Sequence, residues 1–138
     1  MNRSDLQRLA ELRLRDAQLL FGAGAYEGSY YLAGYAIECA LKACVAKQIR
    51  EFDFPEKRLV ERSYTHNLTQ LLEVSEVKVR FDEAAAGDEA LRLRWGIIKD
   101  WSEASRYTIG TTEKAAHDML LAVGDGATGV LAWLKRHW

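Results

Sequence analysis

Apolar positions recur along this chain at helical spacing, and the stretch with the least polarity is the most informative. From about residue 25 to residue 49 nearly the whole helical circumference carries Ala, Gly, Cys, Leu, Ile and Val. A helix that is apolar nearly all round belongs in the middle of a bundle, because no broad face of it suits water. Small residues at Gly28, Ala33, Gly34, Ala36, Cys39, Ala40 and Ala43 let neighbouring helices come close. One polar stripe crosses it: Tyr31, Tyr35, Glu38 and Lys42, at steps of +4, +3 and +4. Glu38 and Lys42 stand in the favoured i,i+4 order for a helical ion pair.

The remaining elements follow from the same spacing and from terminal signals. Ser4-Asp5-Leu6-Gln7 has the spacing of a capping box and predicts a first helix from Ser4. Arg8, Glu11, Arg15 and Gln18 give that helix a solvated face, with Leu6, Leu9, Leu20 and Phe21 opposite, and Gly22-Ala23-Gly24 ends it. Residues 50–65 predict a longer connection, with a short turn of helix after Pro55. A further helix is expected from Asn67, with Gln70 three positions on and Leu68, Leu71 and Leu72 as core contacts.

Residues 83–88 predict an irregular junction, and 89–101 a helix with Leu91, Trp95 and Ile98 facing inward. Thr111 or Thr112 can cap the last helix. There Ala116, Met119, Leu120, Val123, Ala127, Val130, Leu131 and Leu134 fall within an arc of about 120°. The expectation is an all-α fold: one domain over residues 1–138, an up-and-down bundle of four to five helices.

Charge and cysteine content narrow the function. The formal net charge of −1 lacks the basic excess that holds duplex nucleic acid by its phosphates, so duplex DNA wrapping is not expected. Cys39 and Cys44 are five positions apart on one helix and point about 140° apart, a poor geometry for a disulfide. Two reduced thiols and an N-terminus without an apolar signal core predict a cytoplasmic protein. No apolar run is long enough to predict a membrane span.

Several motifs invite chemistry. Gly124-Asp125-Gly126-Ala127-Thr128-Gly129 matches G-x-G-x-x-G, but the residues before it have helical rather than strand period. The reading is therefore a helix with glycines for close packing or a kink, not a pyrophosphate cradle. His66, His117 and His137 share no ligand spacing, so no metal is expected, and no cofactor either. Arg106-Tyr107 sits at the junction before the last helix, where the arginine could grip a phosphate or carboxylate or satisfy helix-end carbonyls. Tyr26, Tyr30, Tyr31 and Tyr35 could stack a base, or pack half-buried with a wet hydroxyl.

Taken together, three stretches resemble the HEPN family of helical nucleotide-binding domains. Residues 24–43 (Gly-Ala-Tyr-Glu-Gly through Ala-Ile-Glu-Cys-Ala-Leu-Lys-Ala) look like its second helix, Thr65-His66-Asn67-Leu68 like the opening of the next, and Arg106-Tyr107 like the pair before its last long helix. The resemblance spans roughly residues 5 to 135 and implies a helical bundle, often a homodimer. It also implies frequent partnership with a small nucleotidyltransferase, in many cases in a toxin–antitoxin-like pair.

Many members of that family are ribonucleases with an Arg-x(4–6)-His motif. Counting back from the three histidines reaches residues 59–61, 110–112 and 130–132, and none is arginine. Counting forward from Arg106 reaches Thr111, Thr112 and Glu113, so the usual imidazole acid/base is missing. The expected function is therefore a non-catalytic HEPN domain that binds a nucleotide-like ligand or RNA, or a partner nucleotidyltransferase. Its candidate surface comprises Tyr31, Tyr35, Glu38, Lys42, Tyr64, His66, Arg106 and Tyr107, with Lys42 and Arg106 meeting phosphate. The alternatives are a ribonuclease with an altered site using Arg106 and His66, and a structural homodimerising module.

Overall fold

The computed structural model describes residues 1–50 and 52–138; residue 51, within the expected connection, lies outside the described residues. All regular structure among them is helical. The first helix, α1 (Arg3–Gly22), starts earlier than Ser4. Asn2 is its cap: Asn2 Oδ1 accepts from the Asp5 N–H at 3.0 Å, and the Asp5 carboxylate accepts from the Asn2 N–H at 2.9 Å. The capping box is thus real but displaced by two positions, because two short side chains close it without the longer Gln7.

The central rod is α2 (Tyr26–Lys47). Gly24, at φ 77°, turns the chain in the left-handed region that glycine adopts freely, and α2 runs back along α1. Small residues make that approach possible. Leu20 lies over Gly28, and the Ser29 hydroxyl donates to the Ala17 carbonyl at 2.8 Å. The buried side of α2 runs from Ala33 and Gly34 through Ile37, Ala40 and Leu41 to Cys44.

The 50–65 connection contains α3 (Lys57–Ser63), two turns where a single turn was expected. Asn67 then caps α4 (Leu68–Val74), its side chain accepting from the Gln70 N–H at 2.9 Å, and Leu68, Leu71 and Leu72 are buried. The junction expected over 83–88 is a correction. Helix α5 (Lys78–Gly87) runs through most of it, since alanines favour helix, and the break is confined to Asp88. Asp88 is extended and accepts from the Leu91 N–H at 3.1 Å, capping α6 (Glu89–Ile98). Leu91 and Ile98 are buried as expected, while Trp95 is half-buried against Phe81. A 3-10 turn (Glu103–Tyr107) follows.

The last apolar stripe spans two helices, not one: α7 (Glu113–Gly124) and α8 (Val130–Lys135). Thr112 caps α7, accepting from the Ala115 N–H at 3.1 Å. At its far end Asp125 accepts from the Ala127 and Thr128 N–H groups at 2.9 and 2.8 Å and from the Thr128 hydroxyl at 3.0 Å. An aspartate offering its own acceptors to the next amides competes with helix continuation. Those bonds, the Thr128 N–H first, also lower the Asp125 pKa. Ala127, expected inward, is consequently exposed. The helix therefore breaks at Asp125, and because a helix precedes the glycines they do not form a dinucleotide loop.

The core gathers α1, α4, α5, α6, α7 and α8 around α2, so the bundle expectation holds while the helices are more numerous and shorter than the period suggested. Cys39 and Cys44 are free and buried, and burial pushes each thiol up to about 11. Both stay protonated at pH 8, with roughly a hundredfold less thiolate than a thiol near 9. The native protein should therefore resist thiol labelling at pH 8 and react promptly in denaturant; fast labelling of the native state would contradict their burial. Among the described residues no helix is long and apolar enough to cross a membrane.

Candidate functional site

The polar stripe of α2 is the only polar line on a buried rod, so its side chains must find partners from other elements. At its N-terminal end Tyr31 and Tyr35 meet Trp101, which follows α6. Tyr31 stacks on the indole with centroids 6.0 Å apart and an interplanar angle of 22°, and Tyr35 meets it edge-on at 6.3 Å. Trp101 reaches this place because Gly34 has no side chain: a Cβ there would lie 2.2 Å from the indole ring.

The 3-10 turn brings Arg106 to the same end. Its guanidinium lies 4.9 Å over the Tyr107 ring. Hydrogen bonding to Tyr107 first and Tyr31 second raises its pKa further. Arg13 of α1 approaches Tyr35, and Leu9, Arg13, Tyr31, Leu32 and Tyr35 line a groove of about 280 Å³. The Tyr35 pKa is raised, chiefly by burial, then by Glu38, Cys39 and Tyr31, with Arg13 opposing.

At the C-terminal end of the stripe Glu38 is 2% exposed. Its carboxylate accepts from Lys42 Nζ at 2.8 Å and lies 2.9 and 3.0 Å from His66 Nδ1. An ionised carboxylate only accepts, so Nδ1 carries the hydrogen of this bond and the pair fixes the ring's orientation. Glu38 therefore cannot touch a ligand itself; it holds the Lys42 and His66 side chains, both partly exposed, at the surface above it.

The sequence-predicted residues thus fall into two groups along one face of α2. Tyr31 and Tyr35 meet Trp101, with Arg106 beside Tyr31 and Tyr107, and Glu38, Lys42 and His66 form the second cluster. Tyr64 is 85% exposed and shares with Lys42 an apolar groove against α1. Two contributors were missed. Trp101 gives no signal beyond being aromatic, and Arg13 looks like any other charge on an amphipathic helix.

The positions where a histidine would complete the arginine motif are otherwise occupied. The Thr112 hydroxyl caps α7, and Glu113 lies beside Tyr26, whose pKa is raised by burial first and then by that carboxylate. His117 packs near Phe21, with ring centroids 5.9 Å apart. His137 stacks on Trp133 at 3.9 Å, with Nδ1 2.9 Å from the Trp133 carbonyl oxygen. Among the described residues no group of three or more His, Cys, Asp or Glu side chains could hold a metal ion.

A buried all-helical rod, a cation-bearing face and an Arg-Tyr turn before the last long helix define a helical-bundle domain of the kind the sequence suggested. The family model for the HEPN domain matches residues 4–136, nearly the whole chain, and the protein belongs to that family. Neither the curated proteins nor the solved structures contain a significant match to it.

Proposed function

We propose that this HEPN protein binds rather than cuts, acting as a non-catalytic domain that takes a nucleotide-like ligand, a partner nucleotidyltransferase, or both, in a toxin–antitoxin-like pair. The observation that carries this reading is the arrangement along α2. Lys42 and His66 are held outward by a buried carboxylate, and Arg106 lies beside Tyr31 on the same face. Cations next to aromatic rings suit phosphate and base together. No histidine stands at 111–113: the Thr112 hydroxyl caps α7 and Glu113 lies beside Tyr26, so the usual imidazole is missing.

The test is calorimetric titration of the purified protein with AMP and ATP, and with the nucleotidyltransferase encoded beside it where one is present. Arg106 is exposed, so Arg106→Ala should leave the melting temperature nearly unchanged while weakening binding about tenfold, the loss expected of one charge-assisted contact. Absence of binding to both nucleotides and neighbouring protein would overturn the proposal. A purely structural homodimerising module is separated by the same data, because any ligand selective for the native state must raise its melting temperature.

One observation favours a second reading, a ribonuclease with an altered site. The Glu38–His66 pair orients an imidazole, as a general base requires. RNA cleavage that survives His66→Ala and Arg106→Ala undiminished would rule out that mechanism.

A further inference from the structure

The end of the molecule where α2 gives way to α3 carries large apolar side chains that nothing in the chain covers. Phe52 and Phe54 are 96% and 97% exposed. Phe52 stands at φ 71°, in the left-handed region that is costly for a bulky side chain. The turn around it closes where the Asp53 N–H donates to the Arg50 carbonyl at 3.1 Å. A ring held in that conformation and in water gains almost no burial within its own chain.

Beside this loop lies an apolar groove of about 340 Å³. Leu6 of α1, Val45 and Ala46 of α2, Ile49 just beyond it, and Val60 and Tyr64 of the α3 segment line the groove. Ile49 also lines the hollow bordered by Phe54, Pro55 and Leu59, so loop and groove adjoin. One end of the molecule thus offers both an aromatic wedge and an apolar slot. Exposed apolar patches of more than a few hundred Å² mark interaction surfaces.

We propose that a second copy of this chain docks here, each copy seating its Phe52 and Phe54 in the groove of the other. A two-fold contact needs a patch that is complementary to itself, and a wedge next to its own slot meets that need. Residues 50–58 carry three basic and three acidic side chains, so no block of one sign repels a second copy. The same balance disfavours an anionic membrane, which calls for a basic cluster beside the apolar anchor. A buried phenylalanine removes about 150–250 Å² from water. Four such rings, with the grooves that take them, bury roughly 1,200–2,000 Å², the size of a stable interface. Tyr64 is thereby assigned to this contact rather than to a ligand. The contact lies beyond the C-terminal end of α2, whereas Arg106 sits beside Tyr31 near its N-terminal end, so it stands or falls apart from ligand binding.

Sedimentation velocity of the full chain over the micromolar range tests the contact, with phosphatidylcholine vesicles offered in parallel. The wild type should pass from monomer to dimer. Phe52→Ser/Phe54→Ser and, separately, Tyr64→Asp should keep the helical circular dichroism spectrum, since all three residues are exposed. Each variant should weaken dimerisation at least about a hundredfold, because a two-fold contact carries every change twice. Mixing the two leaves one intact wedge facing one intact groove, so the mixed dimer should be tighter than either variant's own. Arg106→Ala should leave dimerisation unchanged. A wild type that stays monomeric, a dimer indifferent to loss of both phenylalanines, or a mixture no tighter than its components would overturn the proposal. So would a monomer that binds the vesicles through Phe52 and Phe54, which would assign the patch to a membrane instead.

Discussion

Gly34→Ala is expected to lower the melting temperature by about 10 °C, although it adds a single methyl group to a helix. The new Cβ would stand 2.2 to 2.4 Å from three atoms of the Trp101 ring. The ring is rigid, 3% exposed, and fixed between the stacked Tyr31 and the edge-on Tyr35, so it cannot turn aside cheaply. Either α2 must shift against its neighbours or the indole must leave its seat. Overpacking of this kind costs typically ~1–3 kcal/mol, and the rigidity of both partners places it at the upper end. At about 3–4 °C per kcal/mol for a chain of this size, that gives the stated shift.

Gly96→Ala is the control for helix propensity. Gly96 lies within α6 with nothing within 4 Å of its would-be Cβ, so the same substitution should stabilise by up to about 1 kcal/mol. Thermal unfolding followed by circular dichroism reads both. Equal effects of the two variants would show that Trp101 does not depend on the gap at Gly34.

The second large effect concerns Glu38. Stripping it of both partners with Lys42→Met and His66→Phe together should cost about 3–5 kcal/mol, because a carboxylate 2% exposed would be left without a cation. Each single change should cost only about 1–2 kcal/mol, since the other hydrogen-bond donor remains within 3.0 Å and the lost partner was itself partly exposed. Glu38→Gln should be mild, about 1 kcal/mol, because the amide oxygen still accepts from both groups. Urea unfolding at pH 7 of the wild type, the singles, the double and Glu38→Gln measures these values. A double variant no worse than either single would mean that the carboxylate does not need these partners.

How legible each feature was depends on the range over which its cause acts. The α2 rod shows in the sequence because burial on every side leaves a run of apolar residues that no other environment tolerates. Asn67 with Gln70, and Thr112 with Ala115, are caps closed within three residues, and such signals survive without any knowledge of the rest of the chain. Asp125 is the instructive failure. Its competing hydrogen bonds are just as local, but the apolar stripe continues at helical spacing on both sides, and periodicity outvoted the turn. The Asn2 cap was missed for a similar reason: the Ser4 box looked sufficient.

The sequence alone determined that the chain is all-helical, that residues 25–49 form its centre, that it carries the marks of a HEPN domain, and that no histidine stands at the motif spacing from Arg106. Each is a property of composition or short-range order. The tertiary structure alone decided that His66, 28 positions from Glu38, completes that carboxylate's pairing, and that Trp101 seats in the gap left by Gly34. It also set Arg13 beside Tyr35 in one groove. These depend on how separate helices pack, and packing is set by the summed shape of the core, which no local pattern encodes.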